Sequence, residues 1–151
     1  MRPVLYVDDS VSDAKLMQLV FEEAGFPEPL QIAMSGREAI DYLSGDGRYA
    51  DRDRFPMPVL VLLDLNMPMI SGFEILQWIG AHSEFQQFPV VVYSSSSQPS
   101  DVERARELGA SDYFVKPCLF DKTQELLREI RQKWLSTGIQ NRPLNGSAGH
   151  L

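Results

Sequence analysis

The chain is poor in the features that would take it out of the ordinary globular class. It has one cysteine, Cys118, in 151 residues, which excludes an internal disulfide framework and suits a reducing compartment. No apolar run approaches the ~18 residues that a membrane span needs. The N-terminus also lacks a basic-then-apolar leader pattern, so a soluble, cytoplasmic protein with no membrane partner is expected. Positive charge is in deficit. The net charge of −7 argues against nucleic acid as a direct partner, because binding a phosphate backbone needs a basic patch. Histidine is scarce, and His82 and His150 are too isolated to suggest a metal site. Nothing repeats internally.

What is present is a five-fold alternation of strand and helix signals. Five short runs, rich in β-branched or apolar residues, read as strands: about Pro3 to Asp8, Leu30 to Met34, a third ending at Asp64, Val90 to Ser94, and Tyr113 to Lys116. Apolar runs without alternation read as strands buried on both faces, as in a parallel sheet covered by helices. Helices are predicted near Ser12 to Ala24, around Ala39 to Leu43, from near Gly72, near Ser100 to Leu108, and from Asp121 to Leu135. In the first, Leu16, Leu19, Val20 and Phe21 form the expected apolar stripe, with Asp13, Lys15, Gln18 and Glu22 on the wet side. Such alternation implies right-handed crossovers and an α/β doubly wound, five-stranded parallel sheet with five helices, to which the flavodoxin-like order 2-1-3-4-5 is assigned. The expected domain is 1–136. Residues 137–151, rich in Asn, Gly and Ser, are expected to form a flexible tail. The charged connection from Gly45 to Pro58 is longer than the ~2–6 residues usual between such elements. It is read as a tolerated insertion, with a partner-binding feature as the alternative.

Ligands in such sheets bind at the carboxyl ends of the strands. Four strand ends here carry polar groups: Asp8 and Asp9 after the first strand, Asp64 after the third, Ser94 at the fourth, and Lys116 at the fifth. Taken singly they have ordinary explanations: helix caps for Asp8 and Asp9, a solvated lysine, one serine of a polar loop. Taken together they supply what phosphoryl transfer to a carboxylate needs, namely a nucleophile, a cation site and donors for the moving oxygens. Asp64 is the expected nucleophile. Asp8, Asp9 and Asp64, with the backbone carbonyl of Asn66, are the expected Mg2+ ligands, since this ion prefers carboxylate and carbonyl oxygens. Three neighbouring carboxylates without metal should raise at least one carboxyl pKa. Lys116 is the expected mobile charge, and a cis bond to Pro117 would aim it into the crevice.

These residues make the chain resemble the receiver domain of two-component response regulators over about residues 3 to 135. The motifs are Val7-Asp8-Asp9-Ser10, Leu63-Asp64-Leu65-Asn66-Met67-Pro68 followed by Gly72, Ser94-Ser95, Gly109-Ala110-Ser111-Asp112-Tyr113 and Val115-Lys116-Pro117. The resemblance implies Asp64 as phosphoacceptor, Asp8 and Asp9 as Mg2+ ligands, and Ser94 and Lys116 as the family's hydroxyl and lysine. It also implies phosphoryl transfer from a sensor histidine kinase followed by slow self-catalysed hydrolysis, with Tyr113 as a switch aromatic coupled to Ser94. The long connection with Gly47-Arg48-Tyr49 is similar to that of small regulators that partner phytochrome-type kinases. With one helix and a tail after Lys116, the signal is expected to leave through a protein target, a downstream phosphotransfer protein or a second copy of the chain. Other classes fit less well. An aspartyl phosphohydrolase would want an Asp where Asn66 stands, and a flavin phosphate would be repelled by Asp8 and Asp9. A receiver-like scaffold that no longer accepts phosphate is the remaining alternative.

Overall fold

The computed structural model describes residues 1–135, so the expected tail lies outside the described residues. Five strands, β1 (Val4–Val7), β2 (Leu30–Ala33), β3 (Leu60–Leu63), β4 (Val90–Ser94) and β5 (Asp112–Val115), form one sheet of order β2-β1-β3-β4-β5. All four pairings are parallel. The strands alternate with helices α1 (Val11–Ala24), α2 (Gly36–Ser44), α3 (Gly72–Gly80), α4 (Pro99–Glu107) and α5 (Phe120–Trp134). This is the expected doubly wound order.

Every residue of β1, β3 and β4 is buried, which is why these runs show no polar alternation. Successive side chains still take opposite faces. Leu5, Val7, Val61, Leu63, Val90 and Val92 pack with α2, α3 and α4, whereas Val4, Tyr6, Leu60, Leu62, Val91 and Tyr93 pack with α1 and α5.

Local signals set the helix ends. Ser10 caps α1, its hydroxyl accepting from the Asp13 amide, and Gly25 ends that helix in the left-handed region at φ 66°. Within α1 the buried residues are Ala14, Met17, Val20 and Phe21. Leu19, expected in the apolar stripe, is 47% exposed, because the i, i+3, i+7 spacing of Ala14, Met17 and Phe21 turns it away from the sheet. Asp13 stays partly exposed on the expected wet side, and its carboxylate also accepts from Lys116.

The long connection after α2 is packed rather than loose. Gly47–Tyr49 forms a single 3-10 turn that buries Tyr49 among Tyr42 and Phe55. The Arg52 guanidinium donates to the carbonyls of Tyr42 (2.8 Å) and Leu43 (2.7 Å) at the end of α2 and of Phe55 (3.0 Å) in the connection itself, tying the segment to the helix.

No helix among the described residues is long and apolar enough to cross a membrane.

Candidate functional site

The strand register brings the polar strand ends level with one another. Val7 pairs with both Ala33 and Leu63, Leu63 pairs with Val92, and Ser94 pairs with Val115. Backbone bonds extend this alignment past the strands: the Asp64 amide donates to the Val7 carbonyl, and the Lys116 amide donates to the Ser94 carbonyl. The side chains after these positions therefore meet at one edge of the sheet.

Three carboxylates converge there. Oxygens of Asp8, Asp9 and Asp64 all lie within 4.8 Å of one another. Asp8 is fully buried, Asp64 is 5% exposed, and Asp9 faces solvent. Asp8 is held by three donors. The Ser10 amide reaches Oδ1 at 3.0 Å, while the Tyr6 hydroxyl (2.5 Å) and Lys116 Nζ (2.6 Å) share Oδ2. Lys116 also bonds Asp13 Oδ2 at 2.8 Å and stands 3.7 Å from Asp64 Oδ1. Its bond to Pro117 is trans, contrary to the cis form expected. The main chain at the end of β5 already delivers the lysine to the carboxylates, and trans is the lower-energy isomer by about 0.5–1 kcal/mol.

Burial pushes the Asp64 carboxyl up to about 6. The Lys116 charge pulls it down, Asp8 and Asp9 push it up, and the Asn66 amide, which bonds the carboxylate, pulls it down. The expected rise is present, but burial leads it and repulsion between carboxylates is secondary. For Lys116, burial alone would depress the pKa. The bonds to Asp13 and Asp8, with the Asp64 charge, outweigh it and leave the ammonium well above the ordinary lysine value. Burial and the bond to Asp8 likewise raise Tyr6 far above the ordinary tyrosine value, so its phenol stays protonated and donates.

The third side of the site comes from β4 and the loop after it. Ser94 is buried, and its hydroxyl accepts the Ser96 amide at 3.3 Å. The Tyr113 hydroxyl donates to the Ser96 carbonyl at 2.8 Å, and its ring already packs against the core cluster under α3 and α4. Ser94 and Tyr113 are thus linked through one residue, Ser96, whose own hydroxyl is bonded to Asp101 at 2.5 Å. Asn66 is exposed in the loop after Asp64. Gly72 lets the start of α3 close on that loop, since a Cβ there would lie 2.3 Å from the Asp64 carbonyl oxygen.

The donor set fits a hard divalent cation such as Mg2+, with several carboxylate oxygens and no soft ligand. Two contributors escaped sequence reasoning. Asp13 looks like a first-turn helix acid and Tyr6 like a core aromatic. The available signals were the position of Asp13 in the first turn of a helix that starts at the site, and a hydroxyl in an otherwise aliphatic strand.

Comparison with known proteins agrees with this architecture. The response regulator receiver domain family matches residues 4–134. The sequence is 32% identical over 134 residues to response regulator Rcp1 of Synechocystis sp., covering 89% of each chain. The fold is similar to that of response regulator RPA3017 in red light signaling of R. palustris, with a TM-score of 0.85 and 29% identity over 91% of this chain and 96% of that one. It is also similar to the phosphorylated cyanobacterial phytochrome response regulator RcpA (TM-score 0.81, 29% identity, 91% and 97% covered). The Mn(2+)-bound form of Rcp1 is comparably close (TM-score 0.79, 31% identity, 91% and 96% covered). These likenesses favour neither the phosphohydrolase nor the flavin reading. The chain belongs to the response regulator receiver domain family.

Proposed function

We propose that this receiver domain accepts a phosphoryl group on Asp64 from a phosphohistidine of a sensor histidine kinase, of the phytochrome type. The observation that carries the reading is the grouping of Asp8, Asp9 and Asp64 oxygens within 4.8 Å of one another beside Lys116, in a chain of this family. The phytochrome assignment rests on the likeness to Rcp1, RcpA and RPA3017.

In the transfer, an Asp64 carboxylate oxygen attacks phosphorus and the P–N bond to the kinase imidazole breaks. An acyl phosphate forms on Asp64, and the leaving imidazole nitrogen takes up a proton. Asp8, Asp9, Asp64 and the Asn66 carbonyl would hold Mg2+, which offsets negative charge on the phosphoryl oxygens and the carboxylates. Lys116, already beside Asp64, is within reach of a phosphoryl oxygen and adds positive charge. Slow hydrolysis follows when water attacks phosphorus and the P–O bond to Asp64 breaks, returning the carboxylate and releasing inorganic phosphate. Asn66 and Ser96 border that water's approach.

Output follows from Ser94. A Ser94 hydroxyl that turns to donate to a phosphoryl oxygen disturbs its bond with the Ser96 amide, and through Ser96 the anchor of Tyr113. That biases the surface of α4, β5 and α5 between two arrangements. The reader of that surface is a protein target, a phosphotransfer protein or a second copy of the chain.

The test is intact-mass analysis after incubation with acetyl phosphate, with and without Mg2+, alongside Asp64→Asn. A single phosphoryl adduct that requires Mg2+ and is absent in the variant is expected. No adduct on the wild-type chain, with Mg2+ binding retained, would make it a constitutive binding module instead.

A further inference from the structure

Tyr6 stands out in β1. Apart from Tyr93, its neighbours on the same face of the sheet, Val4, Leu60, Leu62 and Val91, are aliphatic, and its side chain is fully buried. A hydroxyl in such a place is costly without a partner. The partner is the Asp8 carboxylate, at 2.5 Å on Oδ2. The Tyr93 ring, edge-on at 6.0 Å, limits where the phenol can swing.

We propose that Tyr6 is a positioning residue of the cation site, its hydroxyl fixing the Asp8 carboxylate in the orientation that receives a divalent cation. The inference rests on the reading of Asp8, Asp9 and Asp64 as cation ligands and adds a residue outside that set. Three donors from different parts of the chain define the plane of the Asp8 carboxylate: the Ser10 amide on Oδ1, with Tyr6 and Lys116 on Oδ2. Lys116 divides its ammonium between Asp8 and Asp13 and stands near Asp64, so its hold on Asp8 changes with the state of the site. The phenol, seated in the core, is the constant partner. By crowding both side-chain donors onto Oδ2, the arrangement leaves the remaining acceptor capacity of Oδ1 for a cation. Outer donors of this kind govern metal affinity by holding the ligand in place.

The test is calorimetric titration of Mg2+ into the full chain at fixed pH and ionic strength, for wild type, Asp9→Asn, Tyr6→Phe and Tyr93→Phe. Tyr6→Phe removes the hydroxyl and keeps the ring. Tyr93→Phe does the same to a buried neighbour that packs edge-on against the Tyr6 ring. Binding by wild type, strong weakening in Asp9→Asn, and a loss of about tenfold or more in Tyr6→Phe with Tyr93→Phe within about twofold are expected. Unchanged or tighter binding by a folded Tyr6→Phe overturns the proposal while leaving the cation site intact. A wild-type chain that binds no Mg2+ overturns the site reading and this inference with it. If Tyr6→Phe does not fold, the wild-type protein still decides. The Tyr6 hydroxyl proton, protected from exchange, should shift in the NMR spectrum on adding Mg2+, and an unmoved resonance overturns the proposal.

Discussion

Lys116 is bonded to Asp13 at 2.8 Å, across 103 residues of sequence, and stands farther, at 3.7 Å, from Asp64, the residue it is expected to serve. With a second bond to Asp8, the ammonium is drawn toward α1 and away from the acceptor. Removing Asp13 should let it relax toward Asp64. In Asp13→Ala the Asp64 carboxyl pKa is expected to fall below the wild-type value, because an approaching positive charge favours the carboxylate. Carboxyl-carbon NMR titration would read the shift, and an unchanged value would show that Asp13 does not hold the lysine back. The stability cost should be small, about 1 kcal/mol, since Asp13 is partly exposed.

Asp64 should make stability fall as pH rises. Its carboxyl is raised to about 6 in the folded protein against 3.8 for the free group, so the native state holds the proton more tightly than the unfolded chain. The associated stability is fully present below about pH 4 and is lost as pH rises through 6, at most ~3 kcal/mol. In the absence of divalent cations, Asp64→Asn is therefore expected to exceed wild type in urea-melt stability by about 1–3 kcal/mol at pH 7–8. The two should converge near pH 4. A constant gap across that range would assign the effect to something other than the carboxyl proton.

Gly72→Ala should damage both fold and site. The new Cβ would fall 2.3 Å from the Asp64 carbonyl oxygen and 2.7 Å from Leu65 Cα, both backbone atoms that cannot step aside alone. A loss of about 1–3 kcal/mol in stability is expected, with slower labelling of Asp64 by acetyl phosphate. Wild-type values for both would mean that α3 can tilt away at no cost.

The segment after α2 makes a separate prediction through Arg52. Arg52→Ala leaves the carbonyls of Tyr42, Leu43 and Phe55 without their charged donor and should cost about 2–3 kcal/mol. Arg52→Lys should recover less than half, because a single ammonium lacks the planar fork that spans several acceptors. Full rescue by lysine in thermal melts would argue that charge, not geometry, holds the segment.

Much of this organisation was legible along the chain, and most of what was not depends on contacts between distant segments. Apolar runs without alternation and helical periodicity are local signals, and they placed the five strands and the ends of α1, α4 and α5 within a residue or so, while α2 begins three residues earlier than the expected Ala39. The packing of the long connection depends on Arg52 finding carbonyls on α2, which no local pattern encodes. Leu19 is the exception, because its place outside the i, i+3, i+7 row of Ala14, Met17 and Phe21 is itself a local feature, masked only by the apolar residues around it.

The sequence by itself determined that polar groups stand at four strand ends, and a doubly wound parallel sheet then requires those ends to meet at one edge. Tertiary structure alone decided how they pair. Lys116 could have bonded Asp64, Asp8, Asp9 or Asp13, and it takes Asp8 and Asp13. Asp8 is buried while its neighbour Asp9 is exposed, and the Tyr6 hydroxyl reaches Asp8 from inside the core. The physical reason is range. Periodicity and capping act over a few residues, whereas the choice among carboxylates turns on differences of about an ångström between side chains that only the packed sheet brings together.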